Sequence, residues 1–379
     1  MTDVISQKGL LPAGLNDVLY PSAEIQAKTI EKLLDVFSSY GYLRVKPPLV
    51  EFEDSLLLDG PGSLLKDSTF RIMDPLSQKM MAVRSDMTAQ ISRISSTRMS
   101  HLARPLRLSY SGDVLRVKGD SFNMDRQKTQ VGAELIGIQS EGIDAEIILL
   151  CVKSLVSIDV SSITIDLNLP FLRDYLLKEI PVSSRDEINE AIDRKDQNLI
   201  KKLKIKNSDL ILDFMKAAGD YNHSIKILSR LKLDNFAAEA RDYLLNVGKI
   251  IKENDSLVNI SIDPLENRGF KYHTGLSFTL FSQNHKGEIA KGGRYQTISK
   301  ETATGFTIYT EKLYNTSNDL IERNLVYIPF LNIRIAEKII KKGYKVIFGK
   351  KSNDDIELDA REMGCKYIWN NETIEKIKD

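Results

Sequence analysis

Apolar side chains at Ile30, Leu33, Leu34 and Phe37 recur every three or four residues, which predicts one face of an amphipathic helix. Ser22, following Pro21, is the expected N-cap of that helix, and Gly41 falls at the C′ position, where a left-handed residue ends the last turn. Tyr42 to Val45 then reads as a short strand, stopped by Pro47-Pro48 because proline has no N–H for a sheet ladder. Leu106 to Val117 and Gln130 to Ile138 are strand-like, and the charged stretch Lys118 to Lys128 joins them. The pattern predicts a long antiparallel hairpin with a mobile loop.

From about Pro181 to Leu245 the pattern changes to charged helical segments such as Arg185 to Arg194 and Phe236 to Asn246. Strand character returns at Val258 to Asp263, Leu276 to Phe281 and Ala303 to Tyr309, the last leading into a helix from Glu311. These changes predict a discontinuous first domain, residues 1–180 and 246–322, interrupted by a helical insertion at 181–245. After Arg323 the chain alternates: apolar Leu325 to Phe330, helical Ile333 to Lys342, strand-like Tyr344 to Phe348, helical Asp355 to Met363, and Lys366 to Trp369. Residues 323–379 therefore read as a small βαβαβ unit with parallel strands. The fold class is α+β with a small C-terminal α/β unit.

Composition narrows the function. With 379 residues, 42% hydrophobic and 28% charged, the chain can bury a sizeable core. Lys plus Arg (53) nearly balance Asp plus Glu (52), so a net charge of +1 gives no whole-protein field to draw in nucleic acid. Cys151 and Cys365 lie far apart with no ligand-type cluster nearby, so no disulfide framework and no metal site is expected. No apolar run approaches the roughly 20 residues that cross a bilayer, and Met1 to Leu11 has no apolar signal core. The expectation is no membrane and a cytoplasmic location.

Four segments carry candidate chemistry. Tyr40 to Glu51 is a helix end, a strand and a proline pair. In Ala82 to Arg93, Asp86 and Thr88 point the same way if the segment is extended, offering a carboxylate and a hydroxyl to an α-ammonium group. The alternative is that Ser85 or Asp86 caps a helix running on through Ile91 and Ile94. In the hairpin, Gln130, Gly132 and Glu134 share one strand face, and the glycine leaves room for a small molecule between two polar side chains. An ordinary solvent-facing row is the other reading. Finally, Arg268-Gly269-Phe270-Lys271-Tyr272-His273-Thr274-Gly275 precedes Gly292-Gly293-Arg294-Tyr295, and Arg268 can grip a carboxylate with its planar fork.

Taken in order across residues 10 to 313, these segments resemble the class II aminoacyl-tRNA synthetase core in its histidyl form. Tyr40 to Glu51 is similar to motif 1, Arg107 to Gly137 to motif 2 with its Gln-x-Gly-x-Glu ending, and the fourth pair to the histidyl signature. The resemblance implies an antiparallel sheet of six or more strands flanked by helices, and a homodimer. It also implies a histidine pocket: Asp86, Thr88 and Gln130 at the ammonium, Arg268 at the carboxylate, and Glu134 at the imidazole, with Arg116, Tyr272 and His273 beside them. His273 stands where the synthetases have a second tyrosine.

The departures fall on the ATP groups. Lys118 occupies the place of the glutamate that receives the adenine amine, and a cation cannot accept that hydrogen bond. Tyr309 and Lys312 replace the glycine and the arginine of motif 3, adding bulk and losing a planar fork. The C-terminal unit is short for an anticodon-binding domain, and its acidic 354–357 run would repel RNA phosphates, so no tRNA binding is expected. With Tyr272-His273-Thr274-Gly275, the chain resembles the regulatory-subunit family of short-form ATP phosphoribosyltransferases. That resemblance implies no catalytic residues and no cofactor, L-histidine as the ligand, and a hetero-oligomer with a short catalytic subunit that it activates and makes histidine-sensitive. A divergent histidyl-tRNA synthetase is the alternative.

Overall fold

A computed structural model describes residues 10–119, 124–203, 205–267, 272–313, 324–349 and 356–377. It divides into two compact units, Met1–Thr316 and Ser317–Asp379. In the first, α1 (Ser22–Ser39) buries Leu33, Leu34 and Phe37 as the spacing predicts, and Gly41 takes φ +80°. Ser22 is not its cap. Pro21 holds that position, and the first amides, of Ala23, Glu24 and Ile25, donate to the carbonyls of Leu19 and Pro21, which leaves a serine hydroxyl nothing to do.

The strands of this unit are β1 (Leu43–Arg44), β2 (Val50–Phe52), β3 (Arg71–Met73), β4 (Met80–Val83), β5 (Leu106–Leu115), β6 (Gln127–Ile136), β7 (Ile163–Asn168), β8 (Gly219–Asp220), β9 (Asn259–Ile262), β10 (His273–Ser282), β11 (Glu288–Gln296) and β12 (Thr302–Tyr309). Among the described residues, nine of them form one sheet in the order β1-β5-β6-β12-β11-β10-β7-β9-β8, and β2-β4-β3 form a small second sheet. The run from β5 to β7 is antiparallel throughout, while β1 lies parallel to β5 and β9 parallel to β7. The predicted hairpin is β5–β6, with Leu115 opposite Gln127, so its connection begins and ends two residues earlier than the sequence suggested.

Side chains alternate across the large sheet, giving it two unlike faces. On the back, Val131, Ala133, Leu135, Phe278, Phe306 and Ile308 pack against α1 and against α4 (Glu141–Ser157), part of one continuous core; Phe37 meets Phe306 edge-on at 5.5 Å. On the front, Leu106, Leu108, Tyr110, Ile136, Tyr295 and Ala303 pack with Met87 and with Ile91 of α3 (Thr88–Ser96). The short α2 (Glu53–Leu56) precedes α3 in the chain. After α5 (Pro170–Leu176) come, among the described residues, the helices α6 (Val182–Asp193), α7 (Gln197–Leu203), α8 (Ser208–Ala217), α9 (Tyr221–Leu228) and α10 (Asn235–Asn254), with β8 between α8 and α9.

The expected helix from Glu311 is, in its described part, a 3₁₀ turn, Thr310–Lys312; residues 314–323 lie outside the described residues. The second unit contains β13 (Leu325–Ile328), α11 (Ile333–Lys341), β14 (Lys345–Phe348), α12 (Ile356–Glu362) and β15 (Tyr367–Asn370), with β14 and β15 both parallel to β13 as expected. A further strand, β16 (Thr373–Lys376), adds antiparallel to β15. Cys151 and Cys365 are buried thiols without a disulfide. Among the described residues no helix is long and apolar enough to cross a membrane.

Candidate functional site

The front face of the sheet carries the site. β6 presents Gln130, Gly132 and Glu134, and all three are buried, so the row faces the interior and not solvent. Glu134 lies opposite Gly305 of β12, which lies opposite Gly293 of β11. These glycines leave the middle of the face bare because side chains do not fit: a Cβ on Gly305 would sit 1.7 Å from Glu134 Oε2, one on Gly132 would sit 2.5 Å from the Tyr110 hydroxyl, and one on Gly293 would sit 2.8 Å from the His273 ring. The result is a small recess whose walls include Thr88, Glu134, Tyr272, His273, Lys291 and Tyr295.

Glu134 is met by neutral donors. The hydroxyl of Thr88 donates to its Oε1 at 3.1 Å and that of Tyr110 at 3.3 Å. Its Oε2 and the hydroxyl of Tyr295 are neighbours but make no hydrogen bond of good geometry. Burial pushes the Glu134 carboxyl up to about 8; the Tyr295, Thr88 and Tyr110 hydroxyls oppose that rise, and the Asp86 carboxylate adds to it. His273, half-buried at its surface, has its ring deep enough that desolvation, with the Lys291 cation, lowers its pKa to about 3. Its imidazole is neutral at any ordinary pH.

Behind this wall, Asp86 is fully buried and locked in place. Its Oδ1 accepts the Thr88 amide at 2.9 Å, and its Oδ2 accepts Gln130 Nε2 at 2.9 Å, while Gln130 Oε1 accepts the Met87 amide at 2.9 Å. Asp86 and Thr88 do not share an extended segment. Thr88 opens α3 and Met87, not Ser85 or Asp86, holds the N-cap position; Asp86 accepts the Thr88 amide from one residue further out. Arg116 is half-buried with its Nε donating to the Ser85 carbonyl at 3.3 Å, which ties it to the same segment without placing it in the wall of the recess. Thr88, Glu134, Tyr272 and His273 come together, with Asp86 and Gln130 behind them. Arg268 lies outside the described residues.

The Histidyl-tRNA synthetase family model matches residues 14–313. By overall shape the chain is similar to a Bacillus halodurans protein titled as an ATP phosphoribosyltransferase regulatory subunit/histidyl-tRNA synthetase, with a TM-score of 0.80 at 19% identity over 93% of this chain and 96% of that one. It is also similar to histidyl-tRNA synthetase from Nostoc, with a TM-score of 0.77 at 17% identity over 95% of this chain and 90% of that one. These likenesses show the class II fold. The sequence decides between its branches: an ATP phosphoribosyltransferase regulatory subunit of Rhodospirillum centenum is 39% identical over 100% of both chains, and one of Geobacter sulfurreducens 33% identical over 97% of this chain and 90% of its own. The chain belongs to the ATP phosphoribosyltransferase regulatory-subunit family.

Within that family's fold, the positions that depart from the synthetase pattern have definite surroundings. Lys118 is exposed beyond the end of β5. Tyr309 is 2% exposed, and the ammonium groups of Lys128 and Lys291 stand 5.8 and 5.7 Å from its ring centroid, so the end of β12 is filled by an aromatic ring and two cations. The recess also contains Lys291, Tyr295 and Thr307, which the sequence motifs did not single out as site residues, and Tyr110 supports it from behind through Glu134 and Thr307. A period of two counted back from the Gly293 position would have put Lys291 and Tyr295 on the glycine's own face.

Proposed function

We propose that this chain is a non-catalytic regulatory subunit that binds free histidine in the glycine-floored recess, activates a short ATP phosphoribosyltransferase catalytic subunit, and transmits histidine inhibition to it. The observation that carries the reading is the recess itself: a bare sheet face ending in the buried, neutral-donor-bound Glu134, in a chain whose ATP-facing positions are Lys118, Tyr309 and Lys312. Glu134 takes the imidazole, with Tyr272 and His273 beside it; Asp86, Thr88 and Gln130 serve the ammonium and Arg268 the carboxylate, with Arg116 also in the histidine-binding set. The Asp86–Gln130 lock supports this, since a buried carboxylate held by donors on two sides is preorganised for a cation.

The subunit works as a homodimer within a hetero-oligomer, and the exposed edge strand β1 with Leu43 (55% exposed) and Leu49 (50% exposed) is the surface that fits a second copy. Histidine acts by favouring one of two states of the assembly through differential affinity. Three measurements test this. The purified chain should show no histidine-dependent ATP–pyrophosphate exchange above a no-enzyme control. Calorimetry should show histidine binding that Glu134→Ala weakens by about 2–5 kcal/mol. The short phosphoribosyltransferase of the same organism should co-elute with this chain, gain activity, and become histidine-inhibited in a way that Glu134→Ala relieves without dissolving the complex. Exchange activity, or a histidine response indifferent to Glu134, overturns the reading.

A further inference from the structure

The recess has an acidic end and, on the same sheet face, a cation that no family motif explains. Lys291 directly precedes Gly292-Gly293 on β11, two residues from Gly293 and so on the same face. Register places it: Lys291 pairs with Thr307, and Thr307 with Gly132, whereas Glu134 belongs to the neighbouring row with Gly305 and Gly293. Two strand spacings across and two residues along put the Cα atoms of Glu134 and Lys291 roughly 12 Å apart. Between them lie Gly132, Gly293, Gly305 and the small Thr307. Both side chains enter the recess from opposite corners of a floor with little on it.

The lysine is held there as a cation. Its side chain is 14% exposed, its ammonium pairs with Glu288 at 3.3 Å rather than with Glu134, and it stands over the Tyr309 ring. Desolvation works against its charge, but Tyr309 and Glu288 outweigh it and the pKa stays raised. An acid at one corner of the recess and a lysine cation at the other, two strand spacings apart, leave the floor between them for a ligand that meets both.

We propose that Lys291 is the specificity residue that reads the anionic end of the ligand, so that the recess selects an imidazole compound bearing a carboxylate over one lacking it. This rests on the histidine reading and deepens it. Glu134 takes the imidazole, and Lys291 adds a second cation, besides the arginine already proposed, that makes the carboxylate necessary. Mechanically the selection is electrostatic: a ligand without the anion leaves the Lys291 charge facing a neutral group in a desolvated site.

The test titrates the full-length chain by calorimetry with histidine and with histidinol, whose alcohol replaces the carboxylate. The wild type should favour histidine by tenfold or more. Lys291→Met, which keeps the stem and removes the charge, should weaken histidine at least tenfold while changing histidinol less than threefold, so the preference collapses. Glu288→Gln, which frees Lys291 from its competing carboxylate, should keep or widen the preference and serves as the independent reading if Lys291→Met does not fold. A wild type that binds neither compound overturns the histidine reading and this proposal together. Histidine binding in the wild type with an unchanged preference in Lys291→Met, an equal loss of both ligands, or a preference that Glu288→Gln abolishes overturns the Lys291 proposal alone.

Discussion

The two faces of the large sheet each bury a carboxylate, and they treat it in opposite ways. On the back, Asp144 of α4 receives Arg294 at 2.5 Å, the Thr304 hydroxyl at 2.8 Å and the Tyr243 hydroxyl at 3.0 Å; Arg294 and Tyr243 also bond each other, and the guanidinium stacks 4.7 Å from the Tyr243 ring. Burial raises the Asp144 carboxyl, and Arg294, Thr304 and Tyr243 offset only part of that rise. On the front, Glu134 has hydroxyls only, and burial leaves it up at about 8. The chain completes one charge from its own residues. The other carboxyl keeps its proton up to about 8 and is left for something that binds. The difference separates a carboxylate that fastens α4 and α10 to the sheet from one that makes a site.

The sharpest way to break the comparison is Arg294→Ala. It strands a fully buried Asp144 without its cation, and removing one partner of a buried pair costs about 3–5 kcal/mol. Urea unfolding should show that loss while the surviving fold retains its ligand preference. A change below about 1 kcal/mol would mean that the back-face pair fastens nothing.

The front face makes a prediction in pH. Glu134 has a folded pKa of about 8 against an ordinary 4.5, so between those values the folded chain keeps a proton that the unfolded chain releases. Its contribution to stability is complete below about 4.5 and is lost as pH rises towards 8. The slope is at most about 1.4 kcal/mol per pH unit. Glu134→Gln removes it, so without ligand the variant should gain on the wild type steadily from pH 5 to pH 8 in urea midpoints. Parallel pH profiles would show that Glu134 is ionised in the folded chain.

How much of this could be read beforehand follows the same division. The front row Gln130, Gly132 and Glu134 was legible because a strand shows its faces at a period of two, and Leu33, Leu34 and Phe37 because a helix shows its face at three and four. β11 was not, since Gly292 and Gly293 erase the strand propensity of a segment that neighbours on both sides hold extended. The two partners of Asp86 escaped for a different reason: an N–H at Thr88 and an amide on a distant strand become neighbours only after folding. Asp144 was invisible, one acid in the first turn of a helix, where many acids lie simply for the dipole.

The smallest predicted effect refines the back face. Tyr243→Phe keeps the ring under the Arg294 guanidinium and deletes only the hydroxyl that α10 contributes to Asp144. Asp144 keeps Arg294 and Thr304, while the hydroxyl's bonds to Asp144 and to Arg294 are both lost, so the cost is about 1.5–3 kcal/mol, with the direct Arg294–Asp144 pair left to tighten. Histidine affinity should not move, because the hydroxyl lies behind the sheet and the recess in front of it. Denaturant midpoints and calorimetry on the same preparation separate the two readouts. If affinity falls along with stability, then α10 reaches the recess through Arg294, and the two faces are one device rather than two.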